Sequence, residues 1–181
     1  MTWMIASDLH GSAHWGRRLL QAFDREGAER LLLLGDILYH GPRNALPEGY
    51  APMELAELLN ARAGRVFGVR GNCDAEIDAQ VLHFPMTADY ALLFAGARAV
   101  FATHGHLYHK DHLPPLRPGD ILLHGHTHRP AREELPEGVW YFNPGSVSIP
   151  KEASPRGYML FDGARFLWKD LDGNEYRRFE V

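Results

Sequence analysis

Little in this chain can staple, anchor or coat. Cys73 is the single cysteine among 181 residues, so no internal disulfide can form, and a lone thiol fits a reducing compartment. No apolar run approaches the roughly 20 residues that cross a bilayer, so no membrane partner is expected. Met1–His10 has neither a basic n-region nor a long apolar stretch, so no secretory leader is expected, and the expected localisation is cytoplasmic. Basic residues are not in excess: 19 Lys and Arg against 23 Asp and Glu give a formal net charge of −4. That balance argues against a nucleic-acid-coating surface, although metals could still supply local positive charge. No repeat, low-complexity segment or composition shift marks a boundary, so residues 1–181 are read as one domain. A chain of about 150 residues already buries roughly 70% of its unfolded surface, which suffices for a core.

What is present is a recurring pattern. Five short apolar runs each end on a residue that can bind a metal. Ile5-Ala6-Ser7 leads into Asp8 and His10, and Leu31–Leu34 with Gly35 ends on Asp36. Val66–Gly71 ends on Asn72, and Val100–Thr103 on His104. Ile121–Gly125 ends on His126, with His128 two residues on. Runs of about four to eight apolar residues bounded by Gly or polar residues read as buried strands. Ligands of open α/β sheets sit just outside the carboxyl ends of the strands. One sheet edge therefore gathers enough Asp, Asn and His for two metals, which points to metal-assisted chemistry on an oxygen-rich substrate.

The rest of the chain supplies a scaffold. Strand Trp3–Ser7 precedes a helix over Ala13–Glu26, where Trp15, Leu19, Leu20 and Phe23 recur at helical spacing. Strand Arg30–Leu34 leads to an irregular loop, Tyr39–Pro52, with three prolines and two glycines. A helix Met53–Ala63 starts after Pro52 and returns to strand Arg65–Val69. This alternation predicts a parallel sheet with helices on its faces. After Pro85 the chain reads as β: Tyr90–Phe94, Ala97–Thr103, Asp120–His124, Val139–Phe142, Gly157–Phe161, Arg165–Trp168 and Glu175–Phe179. Asp162-Gly163 and Asp172-Gly173 are hairpin-type turn dipeptides. The expected class is α/β, a two-sheet β-sandwich flanked by helices.

The ligand types narrow the metal. Asp8-Leu9-His10 alternates, and in an extended segment both side chains would point the same way and serve one ion. His126-Thr127-His128 repeats that spacing. A carboxylate such as Asp36 can bridge two cations roughly 3.5–4 Å apart. Mixed O and N ligands suit Mn, Fe, Zn or Co better than Ca or Mg.

Asp8-x-His10, Gly35-Asp36, Gly71-Asn72-Cys73-Asp74, His104 and Gly125-His126-Thr127-His128 resemble the five signature blocks of the calcineurin-like metallophosphoesterase superfamily. The resemblance runs from residue 4 to about residue 160. Segments 40–52 and 143–151 are similar to stretches of the small bacterial YfcE-type phosphodiesterases. The resemblance implies the four-layer sandwich of that superfamily, with a dinuclear centre. Asp8, His10, Asp36 and His128 would hold one metal, and Asp36, Asn72, His104 and His126 the other. Two divalent ions per chain are implied, Mn first, with Zn, Fe, Co or Ni as alternatives. The implied reaction is hydrolysis of a small phosphodiester by a metal-bound hydroxide.

The candidate catalytic set is then Asp36, Asn72, Cys73, Asp74 and His104. Cys73 departs from the superfamily, which usually carries His there, but this departure is shared with the YfcE type. An unperturbed thiol titrates near about 8.5 and an imidazole near about 6.5, so proton donation to the leaving group is in doubt. A contact to substrate or metal water fits Cys73 better than a nucleophilic role. Asp74 reads either as an orienting group behind a ligand or as a turn residue. Arg43, Asn44, Arg70 and His106 are the candidate substrate contacts. His14, His40, His83, His109, His112 and His124 follow no pattern beyond surface or core histidines. Asn143-Pro144-Gly145-Ser146 reads as a supporting turn. The rival readings are a phosphomonoesterase or nucleotide hydrolase on the same centre, a nuclease, and a non-catalytic scaffold of the kind found in the retromer's small subunit. A scaffold would be expected to lose ligands, and all seven are kept here. A symmetric homo-oligomer is the base-rate expectation for assembly.

Overall fold

The computed structural model describes residues 1–181. Strand β1 (Trp3–Ala6), helix α1 (Ala13–Arg25) and strand β2 (Arg30–Leu33) open the fold. Ser12 caps α1 by accepting the Trp15 N–H at 3.1 Å, and Gly27 in left-handed backbone closes it. The long loop after β2 ends at helix α2 (Pro52–Asn60), which begins one residue earlier than the expected Met53, on the proline itself, and ends three residues sooner. A 3₁₀ turn at Ala63–Arg65 occupies part of the segment read as strand, so strand β3 is only Val66–Gly68. A one-turn helix α3 (Asp78–Val81) was not anticipated, since four residues carry no periodicity.

The β-rich second half follows the expected strands to within a residue or two: β4 (Tyr90–Ala95), β5 (Arg98–Thr103) and β6 (Ile121–His124). Strand β7 (Pro130–Glu134) was missed. Its sequence is polar and its residues are largely exposed, so only backbone pairing with its neighbour marks it. Then come β8 (Trp140–Pro144), β9 (Gly157–Phe161), β10 (Arg165–Asp170) and β11 (Glu175–Glu180).

Eleven strands form two sheets, ordered β11-β10-β9-β1-β2-β3 and β4-β5-β6-β8-β7. The first is mixed: β1, β2 and β3 run parallel, while β9 pairs antiparallel with β1. Alternation along β1 and β2 sends Met4, Leu31 and Leu33 toward the helices. There they meet Leu19, Phe23, Leu55 and Leu59. Ile5 and Leu32 point the other way, into a second core with Ala102, Ile121, Leu123 and Phe142 of the facing sheet. Apolar residues are therefore needed on both faces, which explains the uninterrupted Leu31–Leu34 run. The outer face of the second sheet is covered by Tyr108, Leu113 and Leu116 from the loop after β5 rather than by a helix. No helix is long and apolar enough to cross a membrane. The C-terminal ends of β1, β2, β5 and β6 come together and carry the site.

Candidate metal centre

The chain turns sharply after β1, β2 and β6, where it presents five of the seven candidate ligands. Asp8, His10, Asp36, His126 and His128 have φ of 58°, 49°, 53°, 62° and 61°. Non-glycine residues in left-handed backbone are uncommon and cost of order 1–3 kcal/mol each. Five in one site indicate that the fold imposes this geometry. It also corrects the alternation argument. Asp8 and His10 do converge, but from a turn, with Leu9 buried between them, not from an extended strand. His126 and His128 diverge instead of sharing one ion. A tight turn, with Thr127 N–H donating to Gly125 O at 2.7 Å, separates them.

Two clusters result. In the first, Asp8 Oδ1 lies 3.3 Å from His128 Nε2 and 3.7 Å from His10 Nε2. In the second, Asp36 Oδ2 lies 3.4 Å from His104 Nε2, and His126 Nδ1 is 3.1 Å from that same nitrogen. Asn72 Oδ1 joins at 3.0 Å from His104 Nε2. Asp36 Oδ2 is also 3.7 Å from His10 Nε2, so this carboxylate touches both clusters. Cys73 Sγ lies within 4.8 Å of ligand atoms of His10 and Asp36.

The residues present fit divalent metal. Asp8 is fully buried, yet its Oδ1 has no hydrogen-bond partner. Unpaired buried carboxylate oxygens are costly, and a cation relieves that cost. Ring nitrogens face one another at 3.1 Å in each cluster, His10 with His128 and His104 with His126. The other nitrogens are already committed: His10, His104 and His128 each donate Nδ1–H to a backbone carbonyl, of Tyr39, Leu34 and Ile149. This fixes the tautomer and leaves Nε2 free to ligate.

Without cations the titrations are strongly displaced. Burial opposes charge on His104, but hydrogen bonding to Asp36 and the charges of Asp8 and Asp36 outweigh it and lift it to about 9. Burial also opposes charge on Asp8, yet the His10 and His128 rings beside it hold it well below the usual carboxylate range. Burial and the positive field of His104 push His126 down to about 4. Burial first, then the Asp36 carboxylate, pushes the Cys73 thiol up to about 12.

Asp74 bridges two of the loops at the centre. Its carboxylate accepts the N–H groups of Asp36, Ile37 and Gly71 at 2.7–2.8 Å and ties the β2 and β3 loops together. Gly71 makes that junction possible, since a Cβ there would collide with Asp36 Oδ1 and the Asp36 amide. The turn after β8 supports the other side. Ser146 and Ser148 hydroxyls both donate to Asp8 O, at 2.8 and 2.9 Å, and Asn143 Nδ2 donates to Gly125 O at 2.7 Å. The sequence marks Asn143–Ser146 as a supporting turn; Ser148, two residues on, lies outside that reading, and its alternation with Ser146 was the available signal.

The ligands lie where two clefts meet. One, of about 850 Å³, is bordered by Tyr39, Arg43, Asn44, Cys73, His128 and Lys151. The other, of about 770 Å³, is bordered by His106, His109, Lys110, His124 and Tyr141. Asn72, His126, Arg43 and Arg129 border both. Arg43, Asn44 and His106 thus stand beside the centre. Arg70 does not line either cleft; its guanidinium is paired with Asp89 at 2.6 Å. Lys151, Arg129 and Tyr141 escaped the sequence reading, because side chains flanking a cleft obey no spacing. His124 is buried and stacked on Tyr141 with centroids 4.5 Å apart.

Residues 1–165 match the model of the calcineurin-like phosphoesterase superfamily domain. The chain is 51% identical over 162 residues to the phosphodiesterase YfcE of Escherichia coli strain K12, covering 90% of this chain and 88% of that protein. It is 31% identical over 122 residues to the probable metallophosphoesterase YsnB of Bacillus subtilis, covering 59% of this chain and 64% of the relative. The solved structure of YfcE, described as a phosphoesterase from E. coli, superimposes over the full length of both chains with a TM-score of 0.94 at 46% identity. A family match over nearly the whole sequence and a centre built from its five signature blocks lead to one conclusion: this chain belongs to the calcineurin-like phosphoesterase superfamily.

Proposed function

We propose that the protein is a metal-dependent phosphodiesterase acting on small phosphodiesters through a dinuclear centre. Asp8, His10, Asp36 and His128 would hold one divalent ion, and Asp36, Asn72, His104 and His126 the second. Mn is the first candidate, and the mixed O and N donors also accommodate Zn, Fe, Co or Ni. Two such ions neutralise a phosphate and lower the pKa of a water toward about 7, supplying hydroxide at neutral pH. Hydrolysis on such a centre would form one P–O bond as the bond to the departing oxygen breaks, giving a monoester and an alcohol or phenol.

The chain's own residues set the geometry. Asp36 Oδ1 is fixed by the Cys73 N–H at 2.8 Å, leaving Oδ2 between the clusters. Asp74 holds the loops that carry Asp36 and Asn72. Burial and the neighbouring carboxylates oppose ionisation of the Cys73 thiol, which reads as a contact beside the reacting group rather than a nucleophile. His106, pushed down by burial, borders the second cleft as a hydrogen-bonding group.

The observation that carries the reading is the meeting of two clefts at the ligands. A diester has two ester arms to lodge, whereas a monoester has one. The 51% identity to the phosphodiesterase YfcE points the same way. The test is a paired assay on protein loaded with Mn, with metal content read by elemental analysis. We expect about two metals per chain and faster hydrolysis of an aryl phosphodiester than of the matching monoester. Preferential monoester hydrolysis, or a plateau at one metal, overturns the proposal.

A further inference from the structure

The cleft that passes Cys73 has a cation its neighbour lacks, Lys151, while Arg43 stands where the two clefts meet. Arg43 and Lys151 stand on its border, and neither has a carboxylate within ion-pairing distance. Arg129, which shares the cleft, is paired with Glu152 at 3.0 Å. Asp36 is the one acidic side chain lining this cleft, and it belongs to the ligand set. In the second cleft, by contrast, Lys110 is answered by Glu133 at 3.6 Å, and His109 lies 3.8 Å from Asp111. Two unanswered cations at one opening run against the whole chain's formal charge of −4.

Their placement is built into the loops that carry the metal centre. The Lys151 N–H donates to the His128 carbonyl at 3.2 Å, while the His128 ring donates to the Ile149 carbonyl at 2.6 Å. Glu152 and Ala153 follow in left-handed backbone, with φ of 56° and 54°, so the chain turns away immediately after presenting Lys151. On the other side, Asn44 N–H donates to Gly41 O at 3.3 Å and Asn44 Nδ2 to His40 O at 2.8 Å, closing a turn around Arg43. Gly41 packs so close to Cys73 Sγ that a Cβ would come within 2.9 Å of the sulfur. The Arg43 turn is thereby held against the Cys73 side of the centre.

A phosphodiester carries one negative charge, which two divalent ions, less the Asp8 and Asp36 carboxylates and one hydroxide, already balance. Arg43 and Lys151 are therefore surplus to the scissile phosphate. The second cleft has a different character. His124 Nε2 and His106 Nδ1 are buried there without hydrogen-bond partners. Thr127 and His106, which border the cleft, are groups that hydrogen-bond a neutral polar arm.

We infer that Arg43 and Lys151 form a subsite for a second anionic group, so that the substrate is an asymmetric phosphodiester with a carboxylate or phosphate on one arm and an uncharged, hydrogen-bonding group on the other. The inference rests on the phosphodiesterase reading. Lys151 is in this account a specificity-determining residue that the sequence pattern did not mark.

Two 4-nitrophenyl phosphodiesters that differ only in the second arm, ethyl or 2-carboxyethyl, provide the test with Mn-loaded protein. Both release the same phenolate. A charge-assisted hydrogen bond to the carboxylate gives roughly a tenfold preference for the carboxyethyl ester, expressed mainly in KM. The preference declines as ionic strength rises from about 0.01 M to about 0.15 M. Lys151→Gln reduces the ratio toward one, Lys151→Glu inverts it, and Lys151→Arg retains it. Equal losses on both esters would mean that the cations grip the scissile phosphate, and that result overturns the inference, as does a wild-type ratio of one. Calorimetric binding of 2-carboxyethylphosphonate against ethylphosphonate supplies a readout independent of turnover. If neither ester is hydrolysed but the phosphonate difference survives and is lost in Lys151→Gln, the phosphodiesterase reading fails while the anion subsite stands.

Discussion

A single carboxylate, that of Asp36, carries three duties: Oδ1 anchors the Cys73 amide, and Oδ2 faces His10 and His104. Asn at this position keeps the shape but not the charge, and it offers only one acceptor oxygen. Asp36→Asn should therefore lower metal content at both sites and cut turnover by about 100-fold or more, whereas Asn72→Ala should lower metal content at one site only. Elemental analysis beside a turnover assay checks this, and unchanged metal content in Asp36→Asn would reject the shared carboxylate. Cys73 supports a second prediction at the same scale. A thiol is a weak hydrogen-bond donor and so a poor proton donor to a departing alkoxide. General-acid help is worth about 10²–10⁴-fold when the leaving group is poor. The enzyme should depend steeply on leaving-group acidity, and Cys73→His should flatten that dependence. Cys73→Ala should keep most aryl diester hydrolysis. Complete loss in a folded, metal-loaded Cys73→Ala would give the thiol an essential role. A leaving-group series across the three proteins decides between these outcomes.

Strands buried on both faces were the most readable elements, because Leu31–Leu34 and Ile121–Leu123 must be apolar throughout, and their ends then locate the ligands. Helix α1 was legible for the same reason: Leu19, Leu20 and Phe23 share one buried stripe. Strand β7 was not, since an exposed edge strand of Pro130–Glu134 is held by backbone pairing to β8 and leaves no side-chain period. The ligand types and their places along the chain could be read, but the backbone that aims them could not. Nothing in Asp8-Leu9-His10 announces left-handed φ, and treating the segment as extended gave the right partners for Asp8 by the wrong route. The same spacing at His126 and His128 leads to two different clusters, because a turn and not a pleat joins them. Cleft borders were the least legible part. Arg43 stood out by lying in the long loop, but Lys151 becomes meaningful only once the His128 carbonyl is seen to hold its amide.

Across the whole molecule, the centre joins both sheets, so its state of charge bears on global stability. His104 lies at about 9 in the folded metal-free protein, above the roughly 6.5 of an unfolded chain. Its contribution is fully present below about 6.5 and is lost as pH rises through about 9. Asp8, held low, contributes above the ordinary carboxylate range and loses that contribution as pH falls. Metal requires the neutral imidazole, so metal affinity moves in the opposite direction to His104 protonation. Melting scans from pH 6.5 to pH 9 should show the metal-free Tm falling and the gap to the Mn-loaded Tm widening. Free metal at about 100 times its Kd should add about 2.7 kcal/mol, or roughly 5–11 °C for a domain of this size. A constant gap across that range would show that the His104 proton is not displaced. The left-handed ligand positions carry a further consequence. A library of this protein selected for heat resistance in the presence of a chelator would feel the backbone strain at Asp8, His10, Asp36, His126 and His128 but none of the benefit of binding. Glycine and asparagine relieve such strain, so the selection would accumulate them at the ligand positions and return a sturdier protein that had lost its metals.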